Sequence, residues 1–197
     1  MIVVTGFKPW GRHKHNPSEE LAKLLHGRVI AGQRVESKIL PVSYRAALEA
    51  VAEIHAISPR LTLHLGLAAS APALRMEKVA VNIADAGPDV EGVEKRGEPV
   101  VPGGPAAYFA TAPIEEMVDA SRRAGVPARL SYTAGTYLCN YIFYLSLHHA
   151  GRGAAVGFIH LPLTPEMALE GNAPSMPLEL QLRGVLAAVE AALKVLR

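Results

Sequence analysis

Short apolar segments and amphipathic segments alternate along most of this chain. Runs of apolar, often β-branched residues predict strands at 2–5, 35–40, 61–65, 78–84, 128–132 and 154–159. Elsewhere, apolar residues recur every three or four positions, which predicts helices at 16–25, 43–55, 113–124 and 178–196, and one more that contains Cys139. This alternation predicts an α/β sandwich built on a mainly parallel sheet. Because no repeat or linker interrupts it, residues 1–197 are expected to form a single domain.

Two of the predicted helices begin with recognisable capping residues. Asn16 is followed by Pro17 and Glu19, an order that predicts an N-cap, a first-turn proline and a capping-box partner. Ser43 is the expected N-cap of the second helix. The predicted buried faces comprise Leu21, Leu24 and Leu25, then Ala47, Leu48, Val51 and Ile54, and finally Leu182, Val185, Leu186, Val189 and Leu193. Residues 85–104 are expected to form a long loop that is functional or disordered.

Composition narrows the class of protein. Hydrophobic residues make up 50% of the 197 residues and charged residues 19%, as expected of a globular domain with a sizeable core. The 20 Lys and Arg residues nearly balance 18 Asp and Glu residues, which disfavours a nucleic-acid or membrane partner. The single cysteine favours a reducing, cytoplasmic setting. The N-terminal segment MIVVTGF predicts a first strand and not a signal peptide.

The single cysteine, Cys139, is the leading candidate for chemistry. A strand at 128–132 and the turn Ala134-Gly135-Thr136 precede it, so Cys139 is expected in the first turn of a helix. The free N–H groups and positive dipole end of a helix favour a thiolate, which is the nucleophilic form of cysteine. The alternative is that Cys139 is a small buried hydrophobic residue with no chemical role.

Other candidates lie near predicted strand ends, where ligands bind in open α/β sheets. His160 ends the strand at 154–159, and Phe7 and Trp10 follow the first strand. His160 is a candidate base for Cys139, and a carboxylate would orient its imidazole. Glu77 precedes its predicted strand, so its placement depends on strand direction; a solvated charge or an ion pair is the alternative for this residue.

Other motifs favour structural roles. His148 and His149 are expected to be surface or packing residues, while His13 and His15 are expected in an exposed loop, since no cysteine or carboxylate cluster accompanies them as a metal site requires. The segment Gly6-x4-Gly11 lacks the lysine and hydroxyl residue of a phosphate-binding loop.

Four segments resemble one family of peptidases. They are TGFKPWG at 5–11 with NPS at 16–18, EKVAVN at 77–82, SYTAGTYLCN at 131–140, and GFIHLP at 157–162 followed by PE at 165–166. In this order they resemble the motifs of the pyrrolidone-carboxylate peptidases, also called pyroglutamyl peptidase I. The segment around Cys139 is the most specific of the four.

The resemblance implies a cysteine peptidase that removes an N-terminal pyroglutamyl residue from peptides. It implies Cys139 as the nucleophile, His160 as the base and then acid, and Glu77 as the orienting carboxylate. Phe7, Trp10, Tyr137 and Leu138 would line the pocket for the lactam ring. It also implies a three-layer α/β/α fold, no metal or organic cofactor, a cytoplasmic setting and a homotetramer.

Two segments depart from the family pattern. Residues 66–71, GLAASA, lack a Gly-Arg pair, and residues 85–89, DAGPD, lack an Arg-Ile pair that belongs to the substrate pocket. Arg75 and Arg96 are the candidates to compensate. These departures leave open a second function, a binding protein for N-blocked or cyclic ligands without turnover. A third, nucleoside phosphorylase-like, rests on fold analogy alone, and no phosphate motif supports it.

Overall fold

Strands and helices alternate along much of this chain, but six consecutive strands lie between residues 61 and 109. The computed structural model describes residues 1–151, 153–169 and 171–196. The strands are β1 (Ile2–Phe7), β2 (Val29–Ile30), β3 (Gln33–Leu40), β4 (Leu61–Leu67), β5 (Leu74–Glu77), β6 (Val79–Val81), β7 (Ala84–Ala86), β8 (Lys95–Glu98), β9 (Ala107–Phe109), β10 (Ala128–Ser131) and β11 (Ala155–Leu161). The helices are α1 (Pro17–Leu25), α2 (Tyr44–Ala56), α3 (Ile114–Arg123), α4 (Leu138–His149) and α5 (Leu178–Val195), with a short 3-10 helix at Pro165–Ala168.

Among the described residues, seven strands form one sheet in the order β10-β5-β11-β4-β1-β3-β2. Strands β3, β1, β4 and β11 are mutually parallel. Strands β5 and β10 are parallel to each other, but β5 runs antiparallel to β11. Helices α1, α3 and α5 cover one face of the sheet, and α2 and α4 cover the other. The predicted α/β/α fold with a mainly parallel mixed sheet is therefore confirmed.

The central strands and helix caps follow from local sequence. Every residue of β1 and β11 is buried, because both faces of a parallel sheet are covered by helices. The side chain of Asn16 accepts the N–H of Ser18 at 3.0 Å, and that of Ser43 accepts the N–H of Ala46 at 3.2 Å. Both predicted caps are confirmed, although the carboxylate of Glu19 pairs with Lys23 and closes no capping box.

The buried faces of the first two helices are narrower than predicted. Leu24 is 44% exposed and Leu48 is 48% exposed, whereas their predicted companions on α1 and α2 are buried. Each helix packs only one stripe against the sheet, so a residue at the stripe margin stays in solvent. Within the described residues, no helix combines the length and the apolar character needed to cross a membrane.

The strand predicted at 78–84 is wrong in its bounds and its sheet. Leu74 and Met76 are fully buried in the central sheet as part of β5. Glu77 is therefore the last residue of a strand, whereas the prediction placed it before one. The apolar run beyond Glu77 leaves that sheet: β6 pairs with β9, and β7 pairs with β8. The segment that joins the central sheet is β5, because it is the one buried between β11 and β10. Its four residues include an arginine and a glutamate, so its apolar pattern in the sequence is weaker than that of residues 78–84.

The predicted loop at 85–104 is partly regular, because β7 and β8 form a hairpin within it. The buried side chain of Asp89 organises the turn between these strands. Its carboxylate accepts the N–H groups of Glu91 and Val93 at 2.8 and 2.9 Å, and the N–H of Tyr44 at the start of α2 at 2.9 Å. These hydrogen bonds fasten the turn to α2.

Candidate active site

Cys139 lies in the first turn of α4, as predicted. Tyr137 precedes this helix with an extended backbone, at φ −96° and ψ −158°. The side-chain amide of Asn140 anchors the turn, because it both accepts from and donates to the backbone of Val81 at 2.9 Å. N–H groups in the first turn of a helix have no acceptor within the helix, so they attract negative charge. The half-buried thiol therefore occupies a place that favours an anion.

His160 lies near the end of β11 and is only 6% exposed. Its Nδ1 is 2.8 Å from Oε1 of Glu77, which leaves Nε2 for the sulphur of Cys139. Burial alone would lower the pKa of His160, but the hydrogen bonds and negative charges of Cys139 and Glu77 raise it to about 9. Both partners therefore favour the protonated form of the imidazole, which lies between the sulphur of Cys139 and the carboxylate of Glu77.

Glu77 is fully buried at the end of β5, so it is not a solvated charge. The register of β5 and β11 places Glu77 opposite Phe158 and Arg75 opposite His160. Side chains of paired residues, and of residues two apart, share one face of a sheet. All four side chains therefore project toward the face that α4 covers. Nη2 of Arg75 also approaches Oε1 of Glu77, at 3.3 Å.

Cys139 and His160 were predicted to meet because each lies near the end of a strand, but the two strands run in opposite directions. The strand before Cys139, β10, runs antiparallel to β11, so the two strands do not end at the same edge of the sheet. Residues 132–137 bring the chain back to the start of α4. This segment is held by Thr136, whose carbonyl accepts the N–H of Asp85 at 3.0 Å and whose hydroxyl donates to the carbonyl of Asp85 at 2.7 Å.

Gly66 of β4 provides the space that the sulphur occupies. It is paired with His160 across the sheet. A Cβ atom at position 66 would lie 2.8 Å from Sγ of Cys139 and 2.8 Å from Cζ of Phe158. These distances are shorter than van der Waals contact, so position 66 admits only glycine with the thiol in its present place. The sequence alone indicates no role for Gly66.

A cavity of about 170 Å³ opens beside Cys139. The structure brings together all four residues predicted to line it, namely Phe7, Trp10, Tyr137 and Leu138. Four further lining residues were not predicted: His13, Asn16, Val42 and Leu67. Val42 and Leu67 lie at or just after the carboxyl ends of β3 and β4, whereas His13 and Asn16 lie in the connection from β1 to α1. Placement in connections that follow parallel strands is the signal that could have identified them. His13, predicted to lie in an exposed loop, is thus half-buried at the cavity.

The turn held by Asp89 contacts two of the cavity residues. The hydroxyl of Tyr137 donates to the carbonyl of Pro88 at 2.9 Å. The N–H of Val90 donates to the carbonyl of Val42 at 2.9 Å. Asp89 thereby fixes the position of the turn against the cavity wall, a role that the sequence did not reveal.

Arg75 and Arg96, the candidates to compensate for the missing pocket arginine, do not line the cavity. Arg75 lies beside Glu77, and the exposed Arg96 pairs with Glu94 at 2.7 Å. Within the described ranges, no group of three histidine, cysteine, aspartate or glutamate residues is placed to hold a metal ion. His148 lies in the last turn of α4, and its Nδ1 is 2.9 Å from the hydroxyl of Tyr108, which is a packing contact.

Comparisons with known proteins point to one family. The family profile described as pyroglutamyl peptidase matches residues 1–195. The chain is 42% identical to the pyrrolidone-carboxylate peptidase of Pyrococcus furiosus, over 99% of each chain. It is 44% identical to that of Coprothermobacter proteolyticus, over 96% of this chain and 95% of the relative. The crystal structure of pyrrolidone carboxyl peptidase from Thermus thermophilus has a TM-score of 0.92 at 44% identity, covering 97% of this chain and 100% of that one.

Proposed function

This chain belongs to the pyroglutamyl peptidase family, and we propose that it is a cysteine peptidase that removes N-terminal pyroglutamate from peptides. One observation carries the mechanism: the side chains of Cys139, His160 and Glu77 form a single row beside a cavity. The cytoplasmic setting and the homotetramer that the resemblance implies belong to the same proposal.

The row supports acyl transfer through a thioester. The thiolate of Cys139 attacks the carbonyl carbon of the pyroglutamyl residue, and the N–H groups at the start of α4 stabilise the oxyanion. The imidazolium of His160 then gives its Nε2 proton to the departing amine, so the peptide bond breaks and an acyl-enzyme remains. The neutral imidazole next takes a proton from water, which attacks the thioester, and the thiolate returns as pyroglutamate leaves.

Glu77 supports His160 without touching the substrate. It is fully buried, and it is absent from the cavity wall. Its Oε1 accepts from Nδ1 of the imidazole, which fixes the ring orientation and directs Nε2 toward the sulphur. The carboxylate also stabilises the positive charge that His160 carries before it protonates the amine.

The cavity suits an uncharged lactam. Its walls are largely aromatic and aliphatic, and no aspartate or glutamate is among the described residues that line it. A free N-terminal ammonium would lose its hydration there without gaining an anionic partner, which is costly. The lactam nitrogen of pyroglutamate carries no charge and avoids this cost.

Kinetics on matched arylamides test the substrate. We expect kcat/KM for a pyroglutamyl arylamide to exceed that for prolyl and alanyl arylamides by about 100-fold or more, because the ammonium of the latter two is not accommodated. A Cys139→Ala preparation purified in parallel controls for contaminating peptidases. If the protein binds pyroglutamate but turns over none of the three substrates, it is instead a binding protein for N-blocked or cyclic ligands, the function that the missing Arg-Ile and Gly-Arg pairs left open.

Gly66→Ala tests the placement of the sulphur. The added methyl group would meet Sγ of Cys139 and the ring of Phe158, so the thiolate is displaced from its alignment. We expect kcat on the pyroglutamyl arylamide to fall by roughly 100-fold, the usual cost of a misplacement near 1 Å. Gly87→Ala is the matched control, since a Cβ atom there meets nothing within 4 Å. Equal activity of the two variants would contradict the proposed position of the nucleophile.

A further inference from the structure

A guanidinium group lies beside the carboxylate of the triad. Nη2 of Arg75 is 3.3 Å from Oε1 of Glu77, the oxygen that also accepts from His160. The same nitrogen donates to the hydroxyl of Ser131 and to the carbonyl of Thr133, both at 2.9 Å. The Arg75 side chain is only 22% exposed, so solvent screens it incompletely. Arg75 is thus tied both to the triad and to the segment that leads from β10 to Cys139.

The ion pair between Arg75 and Glu77 uses one atom of each group. Nε of Arg75 and Oε2 of Glu77 are both buried and have no hydrogen-bond partner within the described residues. Guanidinium and carboxylate groups have matching forks that can form two parallel hydrogen bonds. The two unpartnered atoms belong to the same ion pair. The guanidinium group of Arg75 thus offers a free donor next to the second oxygen of the carboxylate.

Four titratable groups surround the imidazole of His160. Cys139 faces it from α4, Glu77 and Arg75 face it from β5, and His64 lies on the same face of β4 behind Phe158. His64 is uncharged at neutral pH, because burial lowers its pKa to about 3. From Arg75 to His160 the groups thus alternate in sign, in the order guanidinium, carboxylate and imidazolium, and the sulphur of Cys139 lies next to the imidazole.

We propose that Arg75 is a positioning residue for the reaction, which sets the charge and orientation that Glu77 presents to His160. This inference rests on the proposed function, since it concerns how the triad performs acyl transfer. Arg75 draws part of the carboxylate charge to itself, so the imidazolium is held less tightly and releases its proton to the departing amine more readily. It also fixes Oε1 at the position from which the Nδ1 hydrogen bond is made.

The experiment is an NMR titration of the His160 imidazole, combined with pH profiles of kcat and KM. In Arg75→Met the carboxylate serves the imidazolium alone, so we expect the pKa of His160 to rise by about half a unit or more. The basic limb of kcat should rise with it, kcat should fall about tenfold, and KM should change little, because Arg75 does not line the cavity. Arg75→Lys keeps the charge and should return the titration close to that of the wild type.

Arg129→Met is the matched control. Arg129 is paired with Arg75 on the neighbouring strand, but it is exposed, and solvent screens its charge. We expect Arg129→Met to leave the titration of His160 unchanged. The proposal is overturned if Arg75→Met lowers kcat without moving the titration, or if Arg129→Met moves it equally. The titration needs no substrate, so it gives its answer even if the proposed pyroglutamyl activity is absent.

Discussion

Cys139→Ala is expected to abolish turnover of a pyroglutamyl arylamide, with kcat reduced by at least about 10⁴-fold. Without the sulphur no thioester forms, and the remaining groups can only bind and polarise the substrate. Removal of a half-buried thiol, which leaves the methyl group of alanine, should keep the fold intact. The variant should therefore still bind pyroglutamate, which calorimetry can measure, and should keep its circular dichroism spectrum.

The binding measurement separates lost chemistry from lost structure. A variant that binds pyroglutamate as the wild type does, but forms no product, supports the nucleophile assignment. Substantial turnover by pure Cys139→Ala would rule it out, because no other cysteine exists in the chain to replace it.

Glu77→Gln is expected to reduce kcat by about 100-fold or more while KM changes little, because the residue orients the base and lies outside the cavity. The amide also removes the anion beside His160. The pKa of that imidazole is raised to about 9 by Cys139 and Glu77 against burial, so the variant should shift it down toward its ordinary value. Since kcat requires the imidazolium as acid, its basic limb should move to lower pH.

The comparison variant for this prediction is Glu115→Gln. Glu115 pairs with Lys78 at 2.7 Å on the surface, where the Glu115 side chain is 56% exposed. The Glu115→Gln variant therefore also removes one carboxylate from an ion pair. We expect its pH profile to match that of the wild type, because solvent screens the charges of a surface pair. If Glu77→Gln changed neither kcat nor the basic limb, Glu77 would be a structural charge. The catalytic groups would then be only the dyad of Cys139 and His160.

The opposite shifts expected for Glu77→Gln and Arg75→Met make the two experiments informative together. Loss of the anion weakens the hold on the His160 proton, whereas loss of the cation strengthens it. General disruption of β5 would lower activity in both variants without separating the two limbs. The direction of each shift therefore reports on charge and not on damage to the strand.

Local features of the site were predictable from the sequence. The caps at Asn16 and Ser43 involve hydrogen bonds to backbone groups two and three residues away, so the sequence around each helix start is sufficient. The place of Cys139 in the first turn of α4 also follows from a strand, a turn and a helix in succession. The alternation of strands and helices similarly determined the α/β class, because periodicity reflects which face of each element is buried.

The tertiary structure decided how distant segments meet. Glu77 and His160 are 83 residues apart, and their 2.8 Å contact depends on β5 lying antiparallel to β11. The need for Gly66 arises only when the sulphur from α4 reaches β4. No short-range pattern records these approaches, since strand direction and register are chosen by burial of whole faces between layers. The sequence by itself thus determined most of the elements and the place of Cys139 at a helix start. Packing of those elements determined which residues surround Cys139, the cavity beside it and the charges around it.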